Sequence, residues 1–194
     1  MEVELKDELP VLSFETTEAF AAWVEAHIAD AGLWLKIAKK DSGVRTINYA
    51  EALEVALCYG WIDGQRQGYD AVYFLQRFTP RRAKSVWSKV NVTKVAELIQ
   101  AGKMRPVGLA AIEAAKTDGR WDAAYDGQRM MAISEDFATA LEASPKAKAF
   151  WGTLNRANMF VFNYRIQLAK KPETRQARIE KFIAMLNEGK AIHN

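Results

Sequence analysis

The first half of the chain combines two kinds of hydrophobic pattern. Alternating apolar and polar residues, or short β-branched runs, predict strands around 11–14, 33–37, 44–47, 61–65 and 72–78. Apolar residues three or four positions apart predict helices in between, at 20–28 and 51–57. Because Asp41-Ser42-Gly43 is typical of a turn, the strands on either side of it are predicted to form a hairpin.

The second half of the chain has helical patterns alone. Helix starts are predicted at residues that commonly occupy the cap or the first turn, namely Pro106, Ser134, Ser144 and Pro172. The segment 159–166 is apolar on nearly all sides and is predicted to be the buried centre of this half. The predicted fold class is therefore α+β, with a mixed domain over 1–104 and an all-helical domain over 105–194.

Composition narrows the class of protein. The chain has 194 residues, 49% of them hydrophobic and 26% charged, which excludes a disordered chain. Cys58 is the only cysteine, and His27 and His193 are the only histidines, so neither a disulfide nor a Cys/His zinc site is expected. No metal and no cofactor are predicted.

The sequence carries no pattern typical of membrane insertion or export. No apolar run approaches the roughly 18–20 residues that a bilayer-spanning helix needs. Residues 1–8 are acidic, whereas a signal peptide begins with a basic and then an apolar region. The expected location is the cytoplasm.

The positive charge of the chain is concentrated in one segment. Between Ala71 and Ala96 there is no Asp or Glu, and the basic residues there are Arg77, Arg81, Arg82, Lys84, Lys89 and Lys94. Without these six, the chain would have 21 basic and 24 acidic residues, a net charge of −3 in place of +3. The overall charge therefore understates how basic one surface of the protein is.

The residue types in this basic segment suit an anionic ligand. Arginine donates paired hydrogen bonds to carboxylate or phosphate, hydroxyl groups add donors, and a helix start presents backbone N–H groups. The predicted ligand-binding residues of the segment are Arg77, Thr79, Arg81, Arg82, Trp87, Ser88 and Lys89. The structural alternative is that Trp87 anchors the loop in the core and the charges form a solvated surface.

Asp63, Gln65 and Arg66 form a second group of candidates, directly after an apolar segment. An Asp-Gly pair such as Asp63-Gly64 is most often part of a turn. In the functional alternative, Asp63 orients an arginine of the basic segment or acts as a general base, while Gln65 and Arg66 bind the ligand.

Four motifs together resemble the bacterial YdeI/OmdA proteins, labelled bacteriocin-protection or OmpD-associated. The motifs are Cys58-Tyr59-Gly60-Trp61-Ile62-Asp63-Gly64-Gln65, Gln76-Arg77-Phe78-Thr79-Pro80-Arg81-Arg82, Ser85-Val86-Trp87-Ser88-Lys89-Val90-Asn91 and Lys170-Lys171-Pro172-Glu173-Thr174-Arg175. The resemblance implies an α+β fold similar to the YjbR/CyaY-like proteins. It also implies a link to envelope stress or to resistance against antimicrobial peptides and bacteriocins.

Three hypotheses for the function follow. The first is that the protein binds a phosphate-containing anion at the candidate residues; nucleic acid is a less favoured form of this ligand because the net charge of +3 is modest. The second is an enzyme that acts on a small anionic substrate with Asp63 as acid or base. The third is a module that binds an acidic protein partner.

Overall fold

The computed structural model describes residues 3–127 and 131–193, so the outermost residues of both predicted domains lie outside the described part. The chain forms two compact units. The first contains Met1–Trp87 and Asn91–Ala123, and the second contains Ser88–Val90 and Ala124–Asn194. Independent folding of the predicted domains, 1–104 and 105–194, stays a prediction.

The first unit is a mixed sheet with helices. Its strands are β1 (Leu5–Lys6), β2 (Leu9–Leu12), β3 (Leu33–Ala38), β4 (Trp61–Gly68) and β5 (Tyr73–Pro80). Its helices are α1 (Thr17–Ala26), α2 (Tyr49–Cys58), α3 (Lys89–Gln100, from Asn91 onward) and α4 (Pro106–Thr117). The strand order is β1-β2-β3-β5-β4, in which β2 and β3 are parallel and the other neighbours are antiparallel.

Local capping chemistry fixes where the first two helices begin. Thr16 accepts a hydrogen bond from the backbone N–H of Ala19 and caps α1. Asn48 and Glu51 form a reciprocal capping box at the start of α2. The short β2 is parallel to β3, and α1 supplies the crossover connection that such a pair requires.

The predicted hairpin between 33–37 and 44–47 is wrong. β3 pairs with β2 on one edge and with β5, over residues 33–38, on the other, so no edge of β3 remains for 44–47. Instead, single hydrogen bonds hold that segment to the end of β3 and to the residues after β2. The Thr46 hydroxyl accepts from the Ala38 N–H at 2.9 Å, and the Ile47 N–H donates to the Phe14 carbonyl at 2.9 Å.

Both faces of this sheet are buried at its centre. On one face, Phe20 of α1 contacts Phe78 of β5, with ring centroids 5.9 Å apart. On the other face, the buried residues Leu9, Val11, Trp34 and Leu75 form a separate cluster. Since neighbouring residues of a strand point to opposite faces, a central strand buried on both sides reads as a nearly continuous apolar run.

The second unit is helical. Its helices are α5 (Glu135–Glu142), α6 (Pro145–Trp151), α7 (Arg156–Gln167) and α8 (Pro172–Asn187). Phe162 of α7 is fully buried and contacts the rings of Trp151 and Phe182, with centroid distances of 5.7 and 4.8 Å. Strands in the first unit and helices alone in the second confirm the predicted α+β class.

Arg175 links three helices of the second unit. Its guanidinium donates two hydrogen bonds to the carboxylate of Asp136 on α5, at 2.5 and 2.9 Å, and a third to the Ile166 carbonyl on α7, at 2.9 Å. The hydrogen bonds from Arg175 hold the pKa of Asp136 well below its usual range. Arg175 thus has a structural role inside the last of the recognised motifs.

We expect Asp136→Asn to lower the free energy of unfolding at pH 7 by about 0.5–1 kcal/mol, since the pair is bidentate but partly solvated. Because the pKa of the folded carboxyl is depressed, its stabilising contribution is complete above about pH 4 and is lost as the pH falls below that value. Urea unfolding of both proteins at a series of pH values measures this. The neighbouring exposed Glu135→Gln is the control; a constant stability difference down to low pH would contradict the assignment.

Candidate functional site

The register of the β4–β5 hairpin separates two candidate residues. Asp63 pairs with Phe78, so both side chains lie on the face that packs against α1 and α2. Its carboxylate accepts a hydrogen bond of 2.8 Å from the hydroxyl of Tyr49, the first residue of α2. Arg77 precedes Phe78 by one position, so its side chain lies on the opposite face of the sheet. Thr79, two positions after Arg77, shares that face. The structure therefore brings Asp63 to α2 and not to Arg77.

A β-bulge interrupts β4 before Arg66. The buried amide of Gln76 holds it by donating to the carbonyls of Gly64 and Gln65, at 3.0 and 3.2 Å. The extra residue shifts the alternation, so Arg66 returns to the face of Gln76, where its guanidinium lies 3.9 Å from the ring centroid of Phe74. The side chain of Gln65 is exposed.

Arg81 and Trp87 form a stack that closes the loop after β5. The Arg81 Cζ lies 3.5 Å from the Trp87 ring centroid, and its Nη1 donates to the Val86 carbonyl at 3.2 Å. Trp87 is only 2% exposed, and its ring meets the edge of Trp121 at 4.9 Å. Both contacts fit the structural alternative for Trp87, an anchor for the loop in the core.

Further hydrogen bonds fix the middle of this loop. The backbone N–H of Arg82 donates to the Ser85 hydroxyl, and the Ser85 N–H donates back to the Arg82 carbonyl, both at 2.9 Å. The Ser85 carbonyl accepts a 2.8 Å hydrogen bond from Arg120, which is itself held by Asp118. The hydrogen bond from Arg120 lowers the pKa of Asp118. Arg82 and Lys84 are thus exposed on a loop that is tied at several points.

Ser88 and Lys89 belong to the second unit. Ser88 is mostly buried and forms a bridge with Tyr125, whose carbonyl accepts the Lys89 N–H at 2.8 Å. The Lys89 ammonium forms an ion pair of 2.7 Å with Asp126. The hydrogen bond from Lys89 lowers the pKa of Asp126.

The cations of the basic segment differ in how their charge is compensated. Lys94 forms a 2.9 Å ion pair with Glu54. Within residues 3–127 and 131–193, no carboxylate lies within ion-pair distance of Arg77, Arg82 or Lys84. Arg82 and Lys84 are exposed, and Arg77 is half-buried. These three are the cations of the segment whose charge is available to an external anion.

A cavity of about 290 Å³ lies in the first unit beside Cys58. Acidic and basic side chains both line it, among them Glu54, Lys103 and Arg105. Burial raises the pKa of the Cys58 thiol, so the thiol is protonated at neutral pH and is a poor nucleophile. Cys58 is thus a small buried residue of the first unit.

Two kinds of feature are absent from the described part of the chain. Its His, Cys, Asp and Glu side chains form no group of three or more that could hold a metal ion. None of its helices has both the length and the hydrophobicity to cross a membrane.

Two known protein families match this chain, one in its N-terminal part and one in its C-terminal part. Residues 12–111, just over half of the sequence, match the family described as a domain of unknown function, DUF8412. The chain belongs to this family. Residues 130–189 match the family described as Bacteriocin-protection, YdeI or OmpD-Associated, OmdA, which confirms the predicted resemblance. Neither a curated protein nor a solved structure matches the chain.

The recognised motifs divide between the two matches. The motif at 170–175 lies inside the OmdA match, and the motifs at 58–65, 76–82 and 85–91 lie inside the DUF8412 match. The candidate anion-binding residues therefore belong to the DUF8412 segment.

Sequence reasoning missed the residues that hold the loop of the DUF8412 segment. Arg120 and Trp121 follow α4, far along the chain from the Ser85 carbonyl and the Trp87 ring that they contact. Asp118-Gly119 is a turn pattern, and no local signal connects it with the basic segment.

We expect Arg81→Ala to destabilise the first unit by about 2 kcal/mol, because it removes both the stack on Trp87 and the hydrogen bond to Val86. The destabilisation by Arg81→Lys should be smaller than that by Arg81→Ala, since lysine keeps the charge but loses the planar stack. Chemical denaturation followed by tryptophan fluorescence measures both changes. Arg82→Ala, which removes an exposed cation from the same loop, should be nearly neutral; equal stability of Arg81→Ala and Arg82→Ala would contradict the structural role.

Proposed function

We propose that the protein binds a phosphate-containing anion through the loop after β5, with Arg82 and Lys84 as the contacting cations. The observation that carries this proposal is that both side chains are exposed and have no carboxylate partner among the described residues. Their loop is nevertheless tied by Arg81 and Ser85. Because the backbone of this loop is already fixed, binding would order only the side chains of Arg82 and Lys84, and the entropy cost of binding is small.

The other candidate residues have different roles in this proposal. Arg81 and Trp87 position the loop and do not contact the ligand. Arg77 and Thr79 lie on the face of the sheet opposite to Phe78, and ligand contacts by them stay predictions. Ligand contacts by Gln65, Arg66, Ser88 and Lys89 stay predictions.

The two alternative functions have less support. The enzyme hypothesis needs Asp63 and the arginines around one substrate, whereas Asp63 and Arg77 lie on opposite faces of the sheet. An acidic protein partner would also be attracted by Arg82 and Lys84, but two cations on one short loop match a phosphate group more closely than an extended interface. Each alternative predicts a different outcome of the test below.

The test is a thermal-shift screen with nucleotides, sugar phosphates, polyphosphate, short RNA and phospholipid headgroups. We expect at least one of these ligands to raise the melting temperature of the wild type through binding linkage. The shift should disappear in Arg82→Glu/Lys84→Glu. Arg81 is left unchanged, because reversing its charge would break the stack on Trp87 and confuse destabilisation with lost binding.

The control is Lys170→Glu/Lys171→Glu, which changes the net charge equally at two exposed lysines of the second unit. It should keep the ligand-induced shift. If all three proteins respond equally, binding is non-specific and the proposed site is wrong. A response to RNA alone that falls steeply with salt would identify nucleic acid as the ligand, and no response to any anion would favour a protein partner.

We further propose that this binding contributes to resistance against bacteriocins, since the description of the OmdA family names bacteriocin protection. In a bacterium that lacks its own copy, the wild-type gene should raise the bacteriocin concentration needed to stop growth. Arg82→Glu/Lys84→Glu, produced at the same level, should not. If both proteins protect equally, bacteriocin resistance does not depend on Arg82 and Lys84, and this part of the proposal is wrong.

A further inference from the structure

A second cavity, of about 480 Å³, lies in the OmdA-matching unit. It is independent of the loop after β5 and of the function proposed for that loop. One face of α7 lines it with Arg156, Met159, Phe160 and Asn163, and Trp151 of α6 also contributes. The volume falls within the range of about 300–1,000 Å³ that is usual for small-molecule sites.

The cavity side of α7 is not the side that carries Phe162, although Met159 also packs against the core cluster and Trp151 belongs to it. Arg156, Met159, Phe160 and Asn163 follow the spacing i, i+3, i+4 and i+7, which places them along one side. Phe162 packs in the core on another side. The apolar residues Met159 and Phe160 thus face a cavity, which explains why the sequence of α7 is apolar on more than one side.

Asn163 is a buried polar residue among those that line this cavity. The residue is only 6% exposed, and its Oδ1 is buried with no hydrogen-bond partner among the described residues. Buried polar atoms in folded proteins are nearly always hydrogen-bonded, so an exception calls for an explanation. The Oδ1 itself is closed to solvent, so a bound molecule that offers an O–H or N–H group would satisfy it after a rotation of the Asn163 side chain.

Arg156 supplies the second polar group. It is the first residue of α7, where the helix dipole already places partial positive charge, so a cation at this position is electrostatically unfavourable by itself. Its side chain is exposed, and no carboxylate among the described residues lies within ion-pair distance. A carboxylate of a ligand would be stabilised both by the guanidinium and by the helix dipole.

We propose that this cavity binds a small aromatic carboxylic acid that carries a hydroxyl or N–H group at its far end. The carboxylate pairs with Arg156, the ring packs among Phe160, Met159 and Trp151, and the far polar group hydrogen-bonds Asn163. Seven residues of helix separate Arg156 from Asn163, about 10 Å along the axis, which is the span of such a molecule.

Calorimetric titration of the full chain with two probes tests the proposal. The probes are 3-(4-hydroxyphenyl)propanoate, which has both polar groups, and 3-phenylpropanoate, which lacks the hydroxyl. The wild type should bind the first more tightly. Arg156→Gln should weaken both about tenfold or more, because the charged hydrogen bonds are lost. Asn163→Leu should remove the preference for the hydroxylated probe and leave the affinity for the other nearly unchanged.

Two controls separate binding from folding. Arg165→Gln removes an exposed arginine from the same helix, one that does not line the cavity, and should leave both affinities unchanged. Asn163→Leu should melt at the same or a higher temperature than the wild type, since it removes an unsatisfied buried amide. If it fails to fold, Ile133→Trp, which fills the cavity from an exposed lining position, should abolish binding instead. Equal affinities in the wild type and Arg156→Gln, or no binding of either probe, would overturn the proposal.

Discussion

The position of β5 inside the sheet is the constraint on which the first unit depends. Because β5 pairs with β3 on one edge and with β4 on the other, its alternation is fixed along its whole length. Phe74, Gln76 and Phe78 share one face, and Arg77 with Thr79 shares the other. A register shift by one residue would place Arg77 under α1 and move Phe78 away from Phe20, so the apolar residues also decide on which face the cations lie.

The same constraint determines the direction of the chain after β5 and therefore the positions of Arg81 and Arg82. The Arg81 N–H still bonds to the Gly60 carbonyl, so the chain leaves the sheet in a fixed direction and the guanidinium meets Trp87. One arginine of the Arg-Arg pair therefore builds the loop, while Arg82 remains exposed on it. Adjacent residues of identical chemistry thus have different environments, which composition alone does not distinguish.

The extent of prediction from sequence follows the range of the interactions involved. Capping of α1 by Thr16 and of α2 by Asn48 and Glu51 depends on residues within one turn, so local sequence patterns carry this information. The partner of β3 depends on competition between distant strands, and there the local turn pattern at 41–43 favours the wrong hairpin. The bulge before Arg66 and the contact of Arg120 with the loop likewise arise from non-local hydrogen bonds that no local pattern encodes.

Helix α7 shows how a sequence pattern can be correct and still leave the chemistry open. The apolar pattern over 159–166 predicts burial, which holds for Phe162 and Ile166, whereas Met159 and Phe160 are half-buried and Arg165 is exposed. Periodicity does not distinguish a side packed against protein from a side that lines a cavity, because both exclude water. The two polar residues on the second side make that distinction, since within the described part of the chain Arg156 has no carboxylate at ion-pair distance and the Asn163 Oδ1 has no hydrogen-bond partner. An exposed loop and a half-enclosed cavity also attract anions by different physics. Salt screens the exposed charges of Arg82, Lys84 and Arg156 alike, whereas burial of a ring among Met159 and Phe160 persists at high salt, so binding in the cavity should weaken less with ionic strength than binding at the loop.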